Sequence, residues 1–258
     1  MQVFGQLPTL VEDPPMPVSR ATVSEGFDLD GGDTSKTCAH AEFKGKDGRS
    51  GIDNQVRRLT ACIKNVSDGR VNEQMENVFQ AGASAPLIRL TGVDSLENDD
   101  EVTVEFYKAR DPFVKDGEGK PLPDGTMRAA NSLPMFNTAA RGKITAGVLT
   151  TEPTAVRFSI GSELHYIRDA VLQVKISPDG FSEGMLGGYF DLASFWDAYT
   201  RNPTGQVDYT CPALYKRLHE LADGHKDPET GQCTSLSAAF NIKAVRTFVV
   251  PPSPKPES

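Results

Sequence analysis

The segment from His165 to Ile176 constrains the fold more than any other stretch of the chain. Ile167, Ala170, Val171, Leu172, Val174 and Ile176 place apolar side chains close to the two-residue repeat of a strand. Ser177-Pro178-Asp179-Gly180 follows as a turn, and Phe181 to Phe190 returns as the second arm of a hairpin. Gly184, Gly187 and Gly188 in that arm mark bulges or close backbone approach.

Other segments carry the same period. Pro86 to Val93 opens a strand-rich region, and Val102, Val104 and Phe106 alternate with Thr103, Glu105 and Tyr107. Lys143 to Thr150, residues 154–160 and Ser237 to Val250 read as further strands, the last one closing the fold. Helical spacing is confined to short pieces. Asn54 to Lys64 carries Val56, Leu59 and Ile63, with Asp53 at its N-cap and Arg57 and Arg58 facing solvent. Leu192 to Thr200 holds the only tryptophan, Trp196, and Pro212 to Ala222 aligns Leu214, Leu218 and Leu221 before Gly224. The expected fold is mainly β: an antiparallel β-sandwich or curled sheet with a few short helices and a disulfide-clamped acidic N-terminal lobe.

With 258 residues the chain is long enough for one large domain or two small ones. Residues 1–25, with four prolines, read as an extended leader; 26–70 as an acidic lobe packed on the main domain; 71–250 as the β-rich domain; and 251–258 as a disordered tail. Lys and Arg number 27 against 35 Asp and Glu, a net charge of −8 that disfavours nucleic acid and anionic membrane surfaces. No run of about 18 apolar residues exists to span a membrane. Met1 to Leu10 lacks the basic start and apolar core of a signal peptide, so secretion would require one already removed.

The acidic lobe holds the densest chemistry. Asp28, Asp30 and Asp33 lie within six residues, separated by Leu29 and by Gly31-Gly32. Glycines let the backbone turn tightly enough to gather the carboxylates, and Ca²⁺ takes six to eight oxygens at one point. Asp53 and Asn54, after Gly51-Ile52, are placed to close the site. The same aspartates read equally well as caps and turn formers beside glycine. The spacing is similar to the aspartate-rich repeats of extracellular calcium-binding modules such as thrombospondin type 3. It departs from the EF-hand loop, since the glycine comes one place early and no glutamate stands twelfth from Asp28. A second acidic run, Glu97 and Asp99 to Glu101, reads as a solvated hairpin loop before a second cation site.

Four cysteines, none in a Cys-x-x-Cys pair, weaken zinc and redox readings. Local pairing gives Cys38–Cys62 and Cys211–Cys233, each closing a loop of roughly 25 residues and contributing about 3–4 kcal/mol in the chain-entropy model. Disulfides imply an oxidising compartment, hence a periplasmic or extracellular location.

The set Gly26-Phe27-Asp28-Leu29-Asp30-Gly31, Cys38, Asp47-Gly48 and Gly51-Ile52-Asp53-Asn54-Gln55 resembles a family of secreted or periplasmic bacterial proteins with no assigned activity. The resemblance extends to Leu90-Thr91-Gly92-Val93-Asp94 and Asp227-Pro228-Glu229-Thr230-Gly231. It implies a compartment and no reaction.

Catalytic signatures are missing: there is no Gly-x-Ser-x-Gly elbow, phosphate loop, dinucleotide fingerprint or His-Glu-x-x-His. No catalytic residue is therefore assigned. His219 and His225 read as surface residues, and Phe195, Trp196, Tyr199 and Tyr189 as core before sugar platform. The sequence points to an extracytoplasmic structural or binding protein with a structural Ca²⁺ site, presenting its sheet or loops to a protein or glycan partner. The alternative is a carboxylate-based hydrolase of carbohydrate or lipid, its chemistry in the 108–135 loop region.

Overall fold

Ile167 and Ala170 are both buried, although an uninterrupted two-residue repeat cannot send both to one face. The chain absorbs the change of phase with a bulge between Arg168 and Val171, where Asp169 takes φ 49°. Beyond it Ala170, Leu172, Val174 and Ile176 are all buried, and Val171 is half-buried on the other side.

The computed structural model describes residues 9–10, 23–33, 35, 37–38, 40, 42–59, 86–130, 138–160, 163–200 and 214–252. In chain order the elements begin with β1 (Thr9–Leu10), β2 (Val23–Ser24), β3 (Lys44–Gly45) and α1 (Val56–Leu59). The strands β4 (Pro86–Thr91), β5 (Asp99–Lys108), β6 (Thr126–Arg128), β7 (Thr138–Thr145), β8 (Val148–Thr151) and β9 (Thr154–Ile160) follow. Next come the long hairpin β10 (Glu163–Ser177) and β11 (Gly180–Asp191), then the helices α2 (Leu192–Thr200) and α3 (Leu214–Leu221). The described chain ends with β12 (Gly224–Lys226), β13 (Cys233–Asn241), β14 (Ala244–Val245) and β15 (Phe248–Val250).

One antiparallel sheet dominates, ordered β1-β13-β11-β10-β8-β7-β5-β4, with β12 on β13, β14 on β11 and β9 on β10. Among the described residues its path stays open. Two small parallel pairs, β15 with β6 and β2 with β3, stand beside it. A continuous apolar cluster runs from Leu90 in β4 to Phe240 in β13, capped by Val56 of α1, Phe195 of α2 and Leu218 and Leu221 of α3. The mainly β, antiparallel expectation holds, and the hairpin sits mid-sheet.

Four expectations need correction. The disulfide joins Cys38 to Cys233, with Cα atoms 6.0 Å apart and 195 residues between them. This overturns both local pairings, because Cys38 and Cys233 are each other's partner; Cys62 and Cys211 lie outside the described residues. The closing strand begins earlier, at Cys233, and breaks after Asn241 into β14 and β15. Asp53 does not cap α1: its carboxylate accepts from Leu29 N at 2.5 Å, while the first turn bonds run from Arg57 N and Arg58 N to Asn54 O and Gln55 O. Arg58 is half-buried, bonded to Glu42 at 3.0 Å with its guanidinium 5.9 Å from the Phe43 ring centre. The rest of that helix, and the expected loop at 131–135, also lie outside the described residues.

In β13 every residue from Ser235 to Phe240 is buried, so both faces are covered. Leu236, Ala238 and Phe240 enter the core cluster. The opposite face is Ser235, Ser237 and Ala239, paired across β11 with Asp191, Tyr189 and Gly187. This floor of small residues seats the acidic lobe. A Cβ at Gly187 would strike the ring of Phe27, so the glycine is needed for close approach.

Candidate metal centre

Phe27 is the foot on which the acidic segment stands. Its carbonyl accepts from Asp53 N at 2.7 Å, forming an isolated antiparallel bridge that sets the 27–30 and 52–55 strands of the lobe side by side. Asn54 and Gln55 fix the second strand to β13: Ala239 N donates to Asn54 Oδ1 at 3.2 Å, and Gln55 N donates to Ser237 Oγ at 3.0 Å. Asn54 Nδ2 donates in turn to Glu25 O at 2.9 Å and Ser24 Oγ at 3.1 Å.

These bonds bring Asp28, Asp30 and Asp53 together, with one carboxylate oxygen from each inside a 4.8 Å sphere of mutual distance. Asp28 is exposed, Asp30 half-buried and Asp53 buried. Thr37 Oγ1 donates to Asp30 Oδ2 at 2.7 Å and Gly32 N to Oδ1 at 2.8 Å, orienting that carboxylate. Gly31 and Gly32 turn the chain at φ 60° and 78°, where side chains are disfavoured. Burial pushes the Asp53 carboxyl up to about 7; the Leu29 N–H opposes the rise, and the charges of Asp30 and Asp28 add to it.

The sequence placed five groups here, and three converge. Asp33 is not one of the three; its Oδ1 accepts from Ser35 N at 3.0 Å in an Asx turn. Asn54 points into the seam with β13, with both ends of its amide occupied by protein.

Oxygens bound to one Ca²⁺ at 2.3–2.6 Å lie at most about 5 Å apart, so this spread fits a single hard cation. Among the described residues no Lys or Arg pairs with any of the three carboxylates, so none of those residues offsets their repulsion.

Residues that the sequence did not single out surround the centre. Tyr189 is 5 % exposed and its hydroxyl lacks a hydrogen-bond partner. Burial and then the charges of Asp53, Asp223, Asp30 and Asp169 push its phenol upward, so it is a neutral O–H at the edge of an acidic field. Asp223, after α3, is 2 % exposed and receives Ser237 Oγ at 2.5 Å and Ser237 N at 2.7 Å. Only the strand register that puts Tyr189 opposite Ser237 could have revealed them.

Two arrangements among the described residues bear on the catalytic alternative. Ser235 Oγ lies 2.9 Å from His225 Nδ1, and His225 Nε2 lies 2.9 Å from Asp169 Oδ2. The connectivity is that of a nucleophile triad, but the burial is inverted: Ser235 is fully buried while the Asp169 side chain is 60 % exposed. In the 108–130 region, Asp111 is held by Arg128 and drawn down to about 2, and Asp124 is paired with Arg246 at 2.6 Å. Carboxylates held ionised in this way are poor general acids near neutral pH. In the second acidic run, Asp99 accepts from Asp94 N and Glu101 N as a turn former.

Compared with family models, curated proteins and solved structures, the chain matches none.

Proposed function

We propose that the chain is an extracytoplasmic binding protein in which Ca²⁺, held by Asp28, Asp30 and Asp53, locks the acidic lobe onto the main sheet. The observation that carries this reading is the convergence of three carboxylates with which no Lys or Arg pairs among the described residues. A divalent cation removes their repulsion and leaves Asp53 ionised despite its burial. The remaining coordination positions fall to backbone carbonyls and water, as Ca²⁺ sites ordinarily require.

The compartment is supported by the Cys38–Cys233 disulfide, a bond that persists in oxidising surroundings. No helix among the described residues is long and apolar enough to cross a membrane. The resemblance to secreted bacterial proteins points the same way. A partner-facing surface is supported by Val114, Leu122, Phe248 and Val250, each between 45 % and 57 % exposed. Phe248 and Val250 share the outer face of β15, and the 113–125 loop runs beside it, with Phe248 N donating to Gly125 O.

Thermal unfolding in Ca²⁺ against chelator tests the cation. At a free concentration about 100 times Kd, binding to the folded state alone stabilises by about 2.7 kcal/mol, or roughly 5–10 °C in a chain of this size. Asp28→Ala is the cleanest control, because that side chain is exposed. The calcium shift should vanish in this variant; a shift of equal size would place the ion elsewhere.

A further inference from the structure

A cavity of about 660 Å³ opens beside α3, with the Cys38–Cys233 disulfide and Ala222 forming part of its lining. None of the three converging carboxylates lines it. Its volume falls in the range of small-molecule sites, roughly 300–1,000 Å³.

We propose that this cavity binds a neutral saccharide, with the Tyr215 ring as the platform for one face of a sugar. Tyr215 is 53 % exposed, yet its ring is held in place. Trp196 packs against it edge-on, with centroids 5.1 Å apart, and the His219 ring lies 4.7 Å away on the same helix. A fixed, solvent-facing aromatic ring suits the C–H face of a pyranose, which is apolar in the middle and polar at its edge.

The cavity wall holds one charged residue of each sign. Lys216 and Glu220 line the cavity 3.6 Å apart, and Glu220 also pairs with Arg217 at 3.2 Å. Within the lining these two charges offset one another, while Arg217, outside the lining, leaves the helix surface with one positive charge in excess. The remaining polar groups want hydrogen bonds. Gln232 and the His219 imidazole line the cavity, and both residues are exposed. A sugar hydroxyl both donates and accepts, so it satisfies either imidazole tautomer and either end of the amide. A wholly apolar ligand would leave those atoms unpaired, at a cost in affinity.

Trp196, the only tryptophan, provides the readout through its contact with Tyr215. The disulfide-intact chain, in chelator, is titrated with maltotriose, cellotriose and N,N′,N″-triacetylchitotriose while tryptophan fluorescence is followed, with saturation-transfer NMR as a second measure. At least one of the three should bind saturably. Tyr215→Phe, which keeps the ring, should retain binding; Tyr215→Ala should weaken it about tenfold or more, the stacking face being lost. Absence of saturable binding by both methods across all three sugars would overturn the proposal, as would binding undiminished in Tyr215→Ala. Chelator keeps the outcome independent of the cation site.

Discussion

Asp223 concentrates the residue-scale energetics of the lobe seam. Both its oxygens accept from Ser237, and its own carbonyl accepts from Cys38 N at 2.9 Å, so it joins α3, β13 and the disulfide. Burial outweighs the Ser237 bonds and pushes the carboxyl from 3.8 up to about 8; the Asp53 charge adds to the rise. A raised carboxyl binds its proton more tightly in the folded chain than in the unfolded one. The associated stability is complete below the unfolded value near 3.8 and is lost as pH rises through about 8, with Asp53 behaving alike up to about 7. In chelator, melting temperature should therefore fall as pH is raised from about 5 to about 8. Asp223→Asn, which mimics the neutral form, should flatten most of that slope. An unchanged slope would mean that Asp223 titrates near its ordinary value. The convergence of Asp28 and Asp30 was legible because both lie in one glycine-flanked segment. Asp33 and Asn54 are held apart from the three for local reasons: the turn after Asp30 ties Asp33 to Ser35 N, and Asn54 bonds Ala239 N in the sheet beside Asp53.

At the scale of elements, the β10–β11 hairpin is both the centre of the sheet and the support of the site. Its strands were readable from alternation, and Ser177-Pro178-Asp179-Gly180 gave the turn. The bulge at Asp169 was not readable as such, because a one-residue phase change in an apolar run looks like an imperfect repeat. The glycines of β11 carried the right signal, with Gly187 reserved for Phe27. Gly187→Ala should force the Phe27 ring to move, costing about 1–3 kcal/mol, in the range of overpacked sites. It should also weaken Ca²⁺ binding without altering any carboxylate, because Phe27 sets the bridge that aligns Asp28 with Asp53. Calcium-dependent melting of this variant checks both effects; wild-type affinity would mean that the site does not depend on how Phe27 is seated.

At the scale of the whole molecule, the chain ties its acidic lobe to its last long strand twice, by hydrogen bonds along β13 and by Cys38–Cys233. Sequence proximity suggested local disulfides because each cysteine pair brackets a loop-rich segment. Topology decided otherwise, since β13 returns to lie under the lobe. Closing a loop of 195 residues is worth about 5 kcal/mol when chain entropy governs. Non-reducing peptide mapping should recover a Cys38–Cys233 peptide pair, and reduction should lower the melting temperature. Recovery of Cys38–Cys62 instead would contradict the lobe's placement on β13. The most direct test of the cation centre itself is calorimetric titration of Ca²⁺ into the chelator-treated, disulfide-intact chain. A single saturable site is expected, lost in Asp28→Ala and retained in Asp33→Ala, since only the former residue joins the converging three. No saturable heat, or binding lost on changing Asp33 and kept on changing Asp28, would contradict it.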